Sequence, residues 1–184
     1  PNDNFDLEKS HVLPALIRKI YLAKLLSEEK YDEVIADLGV ETIEEAKNYL
    51  LKFGVSDESV EIWGSGKPRR EFLWSEDMAD ACVFIMENRD FNDTFRANEK
   101  EIRNTHINIG TGKDISIAEL AETIKTTIGF KGELVYNEEK PDGTMKKLTD
   151  VSKLNALGWK YKVELNEGIR KIYKYTLISF LYFL

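Results

Sequence analysis

Hydrophobic and polar positions along the middle of the chain predict two short strands. The run 60–63 has strand character, and the glycines at 64 and 66 end that pattern. A basic run at 67–70 follows, and then a second strand-like run at 71–74. The pattern therefore predicts two strands joined by an arginine-bearing loop.

A helix with apolar residues on nearly every side is predicted after the second strand. Ser75 is a good N-cap, and Glu76 and Asp77 place negative charge on the first-turn amides. The residues that follow are mostly apolar: Met78, Ala79, Ala81, Cys82, Phe84, Ile85 and Met86. Other elements must cover such a helix. We therefore expect this stretch to lie in a core, with Cys82 as a core residue and the arginine loop at the edge.

Two further segments of the first half are predicted to be helical. Ser10 can cap a long apolar helix, with Pro14 confined to the first turn, where its missing N–H costs little. The segment 28–59 is acidic and helical, and Thr42 and Glu45 form a capping box within it. It contains no catalytic spacing, so we predict that 28–59 is a peripheral insertion.

Strand and helix signals alternate again in the second half. Residues 105–109 alternate as a strand, which ends in the Gly-Thr-Gly sequence 110–112. A lone Gly-x-Gly only weakly indicates a phosphate cradle. Ser116 and Glu119 form a capping box ahead of an amphipathic helix. The remaining signals predict a strand, a Pro-Asp-Gly turn and two helices, at 132–136, 141–143, 150–157 and 166–177.

Composition and charge exclude several classes of protein. Of 184 residues, 42% are hydrophobic and 32% are charged, which is ordinary for one soluble globular domain. The net charge of -7 argues against nonspecific nucleic-acid binding, which needs a basic surface. Cys82 is the only cysteine, so an intramolecular disulfide and a cysteine-based metal cluster are excluded. We expect no metal site and a reducing compartment, by default the cytoplasm.

The two ends of the sequence contain no targeting signal that we recognise. The first residues are polar and acidic, unlike a signal peptide, and the chain begins with Pro1 in place of methionine. The apolar run 176–184 is shorter than the roughly 20 residues that a membrane-spanning helix needs. We therefore expect a fragment of a longer protein, without a membrane anchor.

Four motifs, in order along the chain, resemble those of a known enzyme family. They are SHVLPAL at 10–16, WGSGKPRREF at 63–72, NIGTG at 108–112 and KPDGT at 140–144. With these motifs the chain resembles the GDP-L-fucose synthases (GDP-4-keto-6-deoxymannose epimerase-reductases), which are extended short-chain dehydrogenases/reductases. The Gly-Thr-Gly piece is common in that superfamily, whereas the other three motifs are more specific to this family.

The resemblance implies an α/β fold in which residues 1–184 form the C-terminal, substrate-binding half. This half would include the last elements of an NAD(P)-binding Rossmann fold, whose N-terminal half is absent. The full enzyme would convert GDP-4-keto-6-deoxy-D-mannose to GDP-L-fucose by epimerisation and NADPH-dependent reduction. The absent half would bind most of the NADP(H), so we expect this chain alone to be inactive. We expect the full enzyme to be a cytoplasmic homodimer that binds a GDP-sugar and neither nucleic acid nor membrane.

The resemblance also implies roles for particular residues. His11 matches the histidine that donates a proton during epimerisation and lies near the nicotinamide, and its place at a helix start favours proton donation. Arg70 matches an arginine that binds the diphosphate, and Trp63 would pack on the ligand. The positions implied to bind substrate are Lys19, Trp63, Arg70, Asp142 and Lys147.

The residues alone leave plainer interpretations open. His11 would be a capping or surface residue, Trp63 a buried strand aromatic, Arg70 a solvated charge and the Pro-Asp-Gly sequence an ordinary turn. Two other functions also stay open. One is a different nucleotide-sugar epimerase or dehydratase, and the other is a noncatalytic fragment that binds sugar nucleotides.

Overall fold

The computed structural model describes residues 3–95 and 101–181, with side chains described as far as residue 175. Helices and parallel strands are mixed, so the predicted α/β class is confirmed. The helices are α1 Val12–Ser27, α2 Tyr31–Leu38, α3 Ile43–Leu51, α4 Ser75–Asn88, α5 Ile117–Ile128, α6 Ser152–Ala156 and α7 Leu165–Leu181. The strands are β1 Ser59–Trp63, β2 Arg69–Glu71, β3 Asp114–Ser116, β4 Glu133–Asn137 and β5 Lys146–Lys147.

The chain divides into two compact units. The first contains residues up to 68, residues 116–145 and residues from 169 onward. The second contains residues 69–115 and 146–168. The candidate site residues are distributed over both units, so each unit is described separately.

The first unit is built on a parallel pair of strands. Residues of β1 pair with β4 from Ser59 opposite Glu133 to Trp63 opposite Asn137. Helix α1 packs on α5, α2 and β1, and the core between these elements contains Ile17, Ile20, Leu22, Val60, Leu120 and Ile124, all fully buried. Apolar spacing on both helices produces this core, because residues three and four apart share one face.

Helix α1 starts one residue later than predicted. His11 is the N-cap in place of Ser10, and the hydroxyl oxygen of Ser10 is buried without a hydrogen-bond partner in the described part of the chain. If Ser10 were the N-cap, its carbonyl would need the N–H of residue 14, which is Pro14 and has none. With His11 as N-cap, the N–H of Ala15 donates to the His11 carbonyl at 3.0 Å.

Segment 28–59 is helical, as predicted, and part of it is buried. Val34, Ala46 and Leu50 have no exposed surface. The capping box is half formed, because the Thr42 hydroxyl accepts the N–H of Glu45 at 3.2 Å, whereas the Glu45 carboxylate accepts from the N–H of Glu41. The segment belongs to the core of the first unit, and its origin as an insertion stays a prediction.

The second unit contains a three-stranded sheet in the order β3-β2-β5. Its central strand begins at Arg69, so the prediction of an arginine loop followed by a strand at 71–74 is wrong. The reason is a cross-strand ion pair, in which Arg69 Nε lies 2.7 Å from Asp114 Oδ1 of β3. The partner thereby offsets the cost of placing a charged residue in a strand.

Helix α4 differs most from the prediction. Its N-cap is Trp74, with Ser75 as the first helical residue, and only Asp77 and Ala81 of the helix are buried. Cys82 is exposed and the Met86 side chain is 82% exposed, so the predictions of a covered helix and a core cysteine are wrong for the described residues. The described elements of this unit pack on one side of the helix, where Ala81 meets Leu154 and Trp159.

Residues 105–109 do not form a strand, contrary to the prediction. No strand pairs with them among the described residues. Ile107 and Ile109 instead pack on the cluster around Ala81, Leu154 and Trp159. The apolar residues of this segment are therefore covered without a strand partner.

The remaining capping signals are formed in part, because α6 has Val151 as its N-cap and begins later than the predicted helix at 150–157. Ser116 and Glu119 make the predicted capping box at the start of α5. The Asp150 carboxylate accepts the N–H of Ser152 at 2.9 Å, and Gly158 follows α6 with φ +103°. Within the described residues, no helix is long and apolar enough to cross a membrane. The side chains of the apolar run 176–184 lie outside the described part.

Neighbouring leucines on α3 provide a test of this packing. Leu50 is fully buried and Leu51 is 61% exposed. We expect Leu50→Ala to lower the free energy of unfolding by about 2–5 kcal/mol, because it leaves a cavity. The matched variant Leu51→Ala should change it by less than about 0.5 kcal/mol. Denaturant titration of both variants measures the difference, and equal effects would contradict a core role for α3.

Candidate functional site

Trp63 is an exposed aromatic ring between two lysines. It is the last residue of β1, and its side chain is 58% exposed, so the interpretation as a buried strand aromatic is wrong. The ammonium nitrogens of Lys19 and Lys140 lie 5.6 and 5.3 Å from the ring centre. Both distances are within the range of cation–π attraction. Trp63 therefore presents a partly open π face in a positive environment.

Lys19 approaches this ring from the interior of the first unit. Its Nζ donates to the carbonyl of Phe53 at 2.7 Å and lies 3.5 Å from the carbonyl of Glu61. Burial lowers the pKa of Lys19, and the nearby Glu61 charge opposes that shift. Its contacts anchor the ammonium beneath Trp63, and direct binding of substrate by Lys19 stays a prediction.

Asp142 holds the glycine-containing turn after β1. Its Oδ1 accepts the N–H of Ser65 at 2.9 Å, and its Oδ2 accepts the Ser65 hydroxyl at 2.6 Å. These bonds lower the pKa of Asp142. Gly64 is required at this contact, because it has φ +81° and a Cβ there would lie 2.3 Å from Asp142 Oδ1. Asp142 is exposed, and an ionised carboxylate has lone pairs for further donors.

In the second unit, two predicted site residues are strand partners. Arg70 of β2 and Lys147 of β5 are in register in a parallel pair. Neighbouring strands lie about 4.8 Å apart and register partners point to one face, so two cationic side chains stand side by side. The guanidinium of Arg70 also donates to the carbonyl of Arg69 at 2.8 Å.

The adjacent register pair points to the opposite face and shares one carboxylate. Arg69 is in register with Lys146, and both contact Asp114, at 2.7 and 3.3 Å. The hydrogen bond from Arg69, and secondarily the nearby Lys146 ammonium, lower the pKa of Asp114. One side of this small sheet therefore carries an internal ion triad, and the other carries Arg70 and Lys147.

The Gly-Thr-Gly loop is already occupied by a carboxylate of the protein. The N–H groups of Thr111 and Gly112 both donate to Glu71 Oε1 at 2.6 Å. The weakly indicated phosphate cradle is therefore not open to a phosphate. Sequence reasoning gave Glu71 no role, because its partners lie 40 and 41 residues further along the chain.

His11 is exposed at the start of α1 in the first unit. Its side chain makes no capping hydrogen bond. It precedes Lys19 by eight residues, which corresponds to about 12 Å along the helix axis. His11 is accessible to a ligand, and its role as a proton donor stays a prediction.

Comparison with known proteins identifies the family. A family model described as the NAD dependent epimerase/dehydratase family matches residues 1–110 of the chain. This match covers more than half of the sequence. The chain belongs to this family.

Several curated relatives of this epimerase/dehydratase chain are named GDP-L-fucose synthases. GDP-L-fucose synthase 1 of Arabidopsis thaliana is 40% identical over 96% of the chain and 42% of its own length. GDP-L-fucose synthase of Escherichia coli is 37% identical over 96% of the chain and 45% of its own length. The chain thus spans less than half the length of these relatives.

Several solved structures of similar proteins have higher identities to this chain. DdhaC is 56% identical with a TM-score of 0.89, over 98% of this chain and 50% of its own. A GDP-6-OMe-4-keto-L-xylo-heptose reductase from C. jejuni is 51% identical with a TM-score of 0.89, over 97% and 51%. MlghC, a GDP-mannoheptose C4 reductase from Campylobacter jejuni with NADP bound, is 50% identical with a TM-score of 0.84, over 96% and 49%.

The family implies a nicotinamide dinucleotide, and the described residues of this chain do not form a site for its pyrophosphate. Such a site is a glycine-rich turn from a strand into a helix, and the sequence has no G-x-G-x-x-G. The loop 110–112 donates its N–H groups to Glu71. Of the side chains in this chain, only His11 is predicted to lie near the nicotinamide.

Gly64 and Gly39 form a matched pair for testing the Asp142 contact. Both have positive φ, but a Cβ at Gly39 meets nothing within 4 Å. Alanine at either position should cost about 1–2 kcal/mol for the left-handed backbone. We expect Gly64→Ala to cost clearly more in a denaturant titration, because its methyl group displaces Asp142. In an Asp142→Ala background the excess should disappear, and an excess that persists would contradict this contact.

Proposed function

We propose that the protein containing this chain has GDP-L-fucose synthase activity. It would epimerise GDP-4-keto-6-deoxymannose beside the ketone and reduce the ketone with NADPH to give GDP-L-fucose. The observation on which this rests most is the register pair of Arg70 and Lys147. The curated relatives at 40% and 37% identity support it.

The cation pair suits the diphosphate of a nucleotide sugar. Arginine offers a planar fork of donors that matches phosphate oxygens, and lysine adds a point charge beside it. We therefore assign the diphosphate to Arg70 and Lys147.

The first unit also has groups that suit a nucleotide sugar. The open face of Trp63 suits stacking by a flat ring or a sugar face, and Lys140 adds a positive charge beside it. Asp142 has remaining lone pairs that would accept a ligand N–H or O–H group. Lys19 would support Trp63 from below.

His11 would supply the proton for epimerisation. A ketone acidifies the C–H bonds next to it, so a base can remove one of these protons and leave an enolate. Return of a proton to the other face of that carbon inverts its configuration. In this proposal the His11 imidazole donates that proton to carbon.

The proposal also covers the architecture of the whole protein. Residues 1–184 would be its C-terminal substrate-binding half, and a Rossmann half absent from this chain would bind most of the NADP(H). The protein would be a cytoplasmic homodimer. A chain that lacks the cofactor-binding half would bind sugar nucleotides without turning them over.

A second candidate function is reduction of a GDP-linked 4-keto heptose. It is favoured by the identity to two solved heptose reductases, 51% and 50%, which exceeds the identity to the curated GDP-L-fucose synthases. Reduction at one carbon would not need a proton donor for epimerisation. The two functions therefore differ in what they require of His11.

Removing the Arg70 guanidinium should weaken binding of GDP. We expect Arg70→Ala in the intact protein to cost about 1.5–3 kcal/mol of binding free energy, because charged hydrogen bonds are lost. Lys147→Ala should act in the same direction. Lys146→Ala is the matched control, because its side chain contacts Asp114 on the other face. Calorimetry with GDP measures all three, and unchanged affinity in Arg70→Ala would contradict the diphosphate site.

Replacing His11 should separate the two candidate functions. In a GDP-L-fucose synthase, His11→Gln should keep the fold and slow epimerisation by about 10²–10⁴-fold, because proton delivery is lost. Mass spectrometry of deuterium uptake from heavy water into GDP-4-keto-6-deoxymannose measures this step without reduction. A normal rate in the variant would exclude His11 as the donor. Wild-type protein that incorporates no deuterium but reduces a GDP-4-keto-heptose would favour the second function.

A further inference from the structure

The Glu71 carboxylate is bound by backbone donors from two separate segments. Its Oε1 accepts the N–H groups of Thr111 and Gly112 at 2.6 Å each and lies 3.2 Å from the Thr111 hydroxyl. Its Oε2 accepts the N–H of Thr149 at 2.9 Å. Three backbone donors therefore converge on one negative charge.

The shape of the Gly-Thr-Gly loop depends on this carboxylate. A Cβ on Gly110 would lie 2.5 Å from Glu71 Oε1, so a side chain there would collide with the bound charge. Gly112 has φ +71°, which L side chains rarely adopt. Successive N–H groups next to a left-handed residue form a concave anion site. In this protein the anion is a side chain of the same chain.

The hydrogen bonds keep Glu71 ionised. Burial by itself raises the pKa of Glu71, but the bonds from Thr149, Gly112 and Thr111 outweigh it and hold the pKa below its ordinary value. Hydrogen bonds to a carboxylate are stronger than those between neutral groups. Removal of the charge would leave three N–H donors, two of them part-buried, without this acceptor.

The position of Glu71 connects it to the cation pair. It directly follows Arg70 on β2, and Thr149 lies two residues after Lys147 of β5. The Glu71 carboxylate thus links the ends of β2 and β5 to each other and to the Gly-Thr-Gly loop at 110–112. Strands β2 and β5 pair at only two positions. The hydrogen bonds of Glu71 therefore contribute much of what fixes the register of these strands.

We propose that Glu71 is a positioning residue that fills the Gly-Thr-Gly anion site and holds Arg70 and Lys147 in register for a diphosphate. The positioning role rests on the proposed function, because it requires that Arg70 and Lys147 bind GDP. That Glu71 fills the anion site is a separate claim, because it concerns the stability of the second unit without ligand. The two claims can be measured separately.

Formate is a suitable probe, because it is a carboxylate small enough to replace the missing group. In the intact protein, Glu71→Ala should unfold at lower denaturant concentration than wild type and bind GDP about tenfold more weakly, the loss expected for one charge-assisted contact. Formate should raise the unfolding midpoint of Glu71→Ala in a saturable manner. It should also restore most of the GDP affinity, relative to wild type at the same formate concentration. Chloride at equal ionic strength should do neither.

The control variant is Glu87→Ala, which removes an exposed carboxylate from α4. Formate should affect it no more than it affects wild type. If Glu71→Ala responds to formate no more than Glu87→Ala, the anion site is refuted. If formate stabilises Glu71→Ala but this variant binds GDP as tightly as wild type with and without formate, the positioning role is refuted.

Two further measurements keep the outcome decisive. If Glu71→Ala does not fold, Glu71→Gln preserves the shape and removes the charge, and wild-type GDP affinity in that variant would overturn the proposal. Arg70→Ala separates this proposal from the function. If Arg70→Ala binds GDP normally while formate still stabilises Glu71→Ala, the diphosphate assignment and the positioning role fail together. The claim that Glu71 fills the Gly-Thr-Gly anion site would remain supported.

Discussion

Parallel pairing between two segments far apart in the sequence is the constraint on which the rest of this structure depends. The segment that contains β1 and β2 pairs twice with the segment that contains β4 and β5, once in each unit. A parallel pair cannot be closed by a tight turn, so each pairing needs a long connection and is fixed by contacts rather than by local sequence. Every proposed substrate-binding residue except Lys19 lies on these two segments. Within each unit, strand register therefore fixes which candidate residues are neighbours.

Carboxylates stabilise this arrangement at the points where backbone pairing ends. Asp142 binds the turn after β1, Asp114 pairs with both Arg69 and Lys146, and Glu71 fills the loop beside β2. In each case the acid comes from a segment distant in sequence from its partner. These carboxylates offset part of the charge repulsion that basic residues on such short strands create.

Local signals were sufficient for much of the fold. The capping box at Ser116 and the glycine after α6 depend on hydrogen bonds within a few residues, so the sequence predicts them directly. Failures occurred where a neighbour decides the outcome. Pro14 moved the start of α1 by one residue, and the exposed side of α4 depends on which elements pack on it. An apolar helix indicates that another element covers it, but it does not indicate whether that element lies among the described residues.

The candidate site likewise combines residues that local sequence indicates with contacts that depend on distant parts of the chain. The family resemblance implies Trp63, Arg70, Asp142 and Lys147, but no periodicity could reveal that Arg70 and Lys147 are register partners. Lys140 is the first residue of the KPDGT motif, but the sequence does not reveal its contact with Trp63. That contact follows from the pairing of β1 with β4. The burial of Lys19 was equally invisible, since a lysine two turns into an amphipathic helix is usually solvated.

The two lysines beside Trp63 differ in a way that matters for protein chemistry. Lys140 is exposed, whereas the side chain of Lys19 is buried with its amine bound to a backbone carbonyl. Amine acylation needs an accessible, neutral nitrogen, so reagents will reach Lys140 long before they reach Lys19. Because both amines lie near one indole, the extent of acylation at each, read residue by residue from a peptide map, reports separately whether a ligand covers Lys140 beside Trp63 and whether the buried contact of Lys19 has opened.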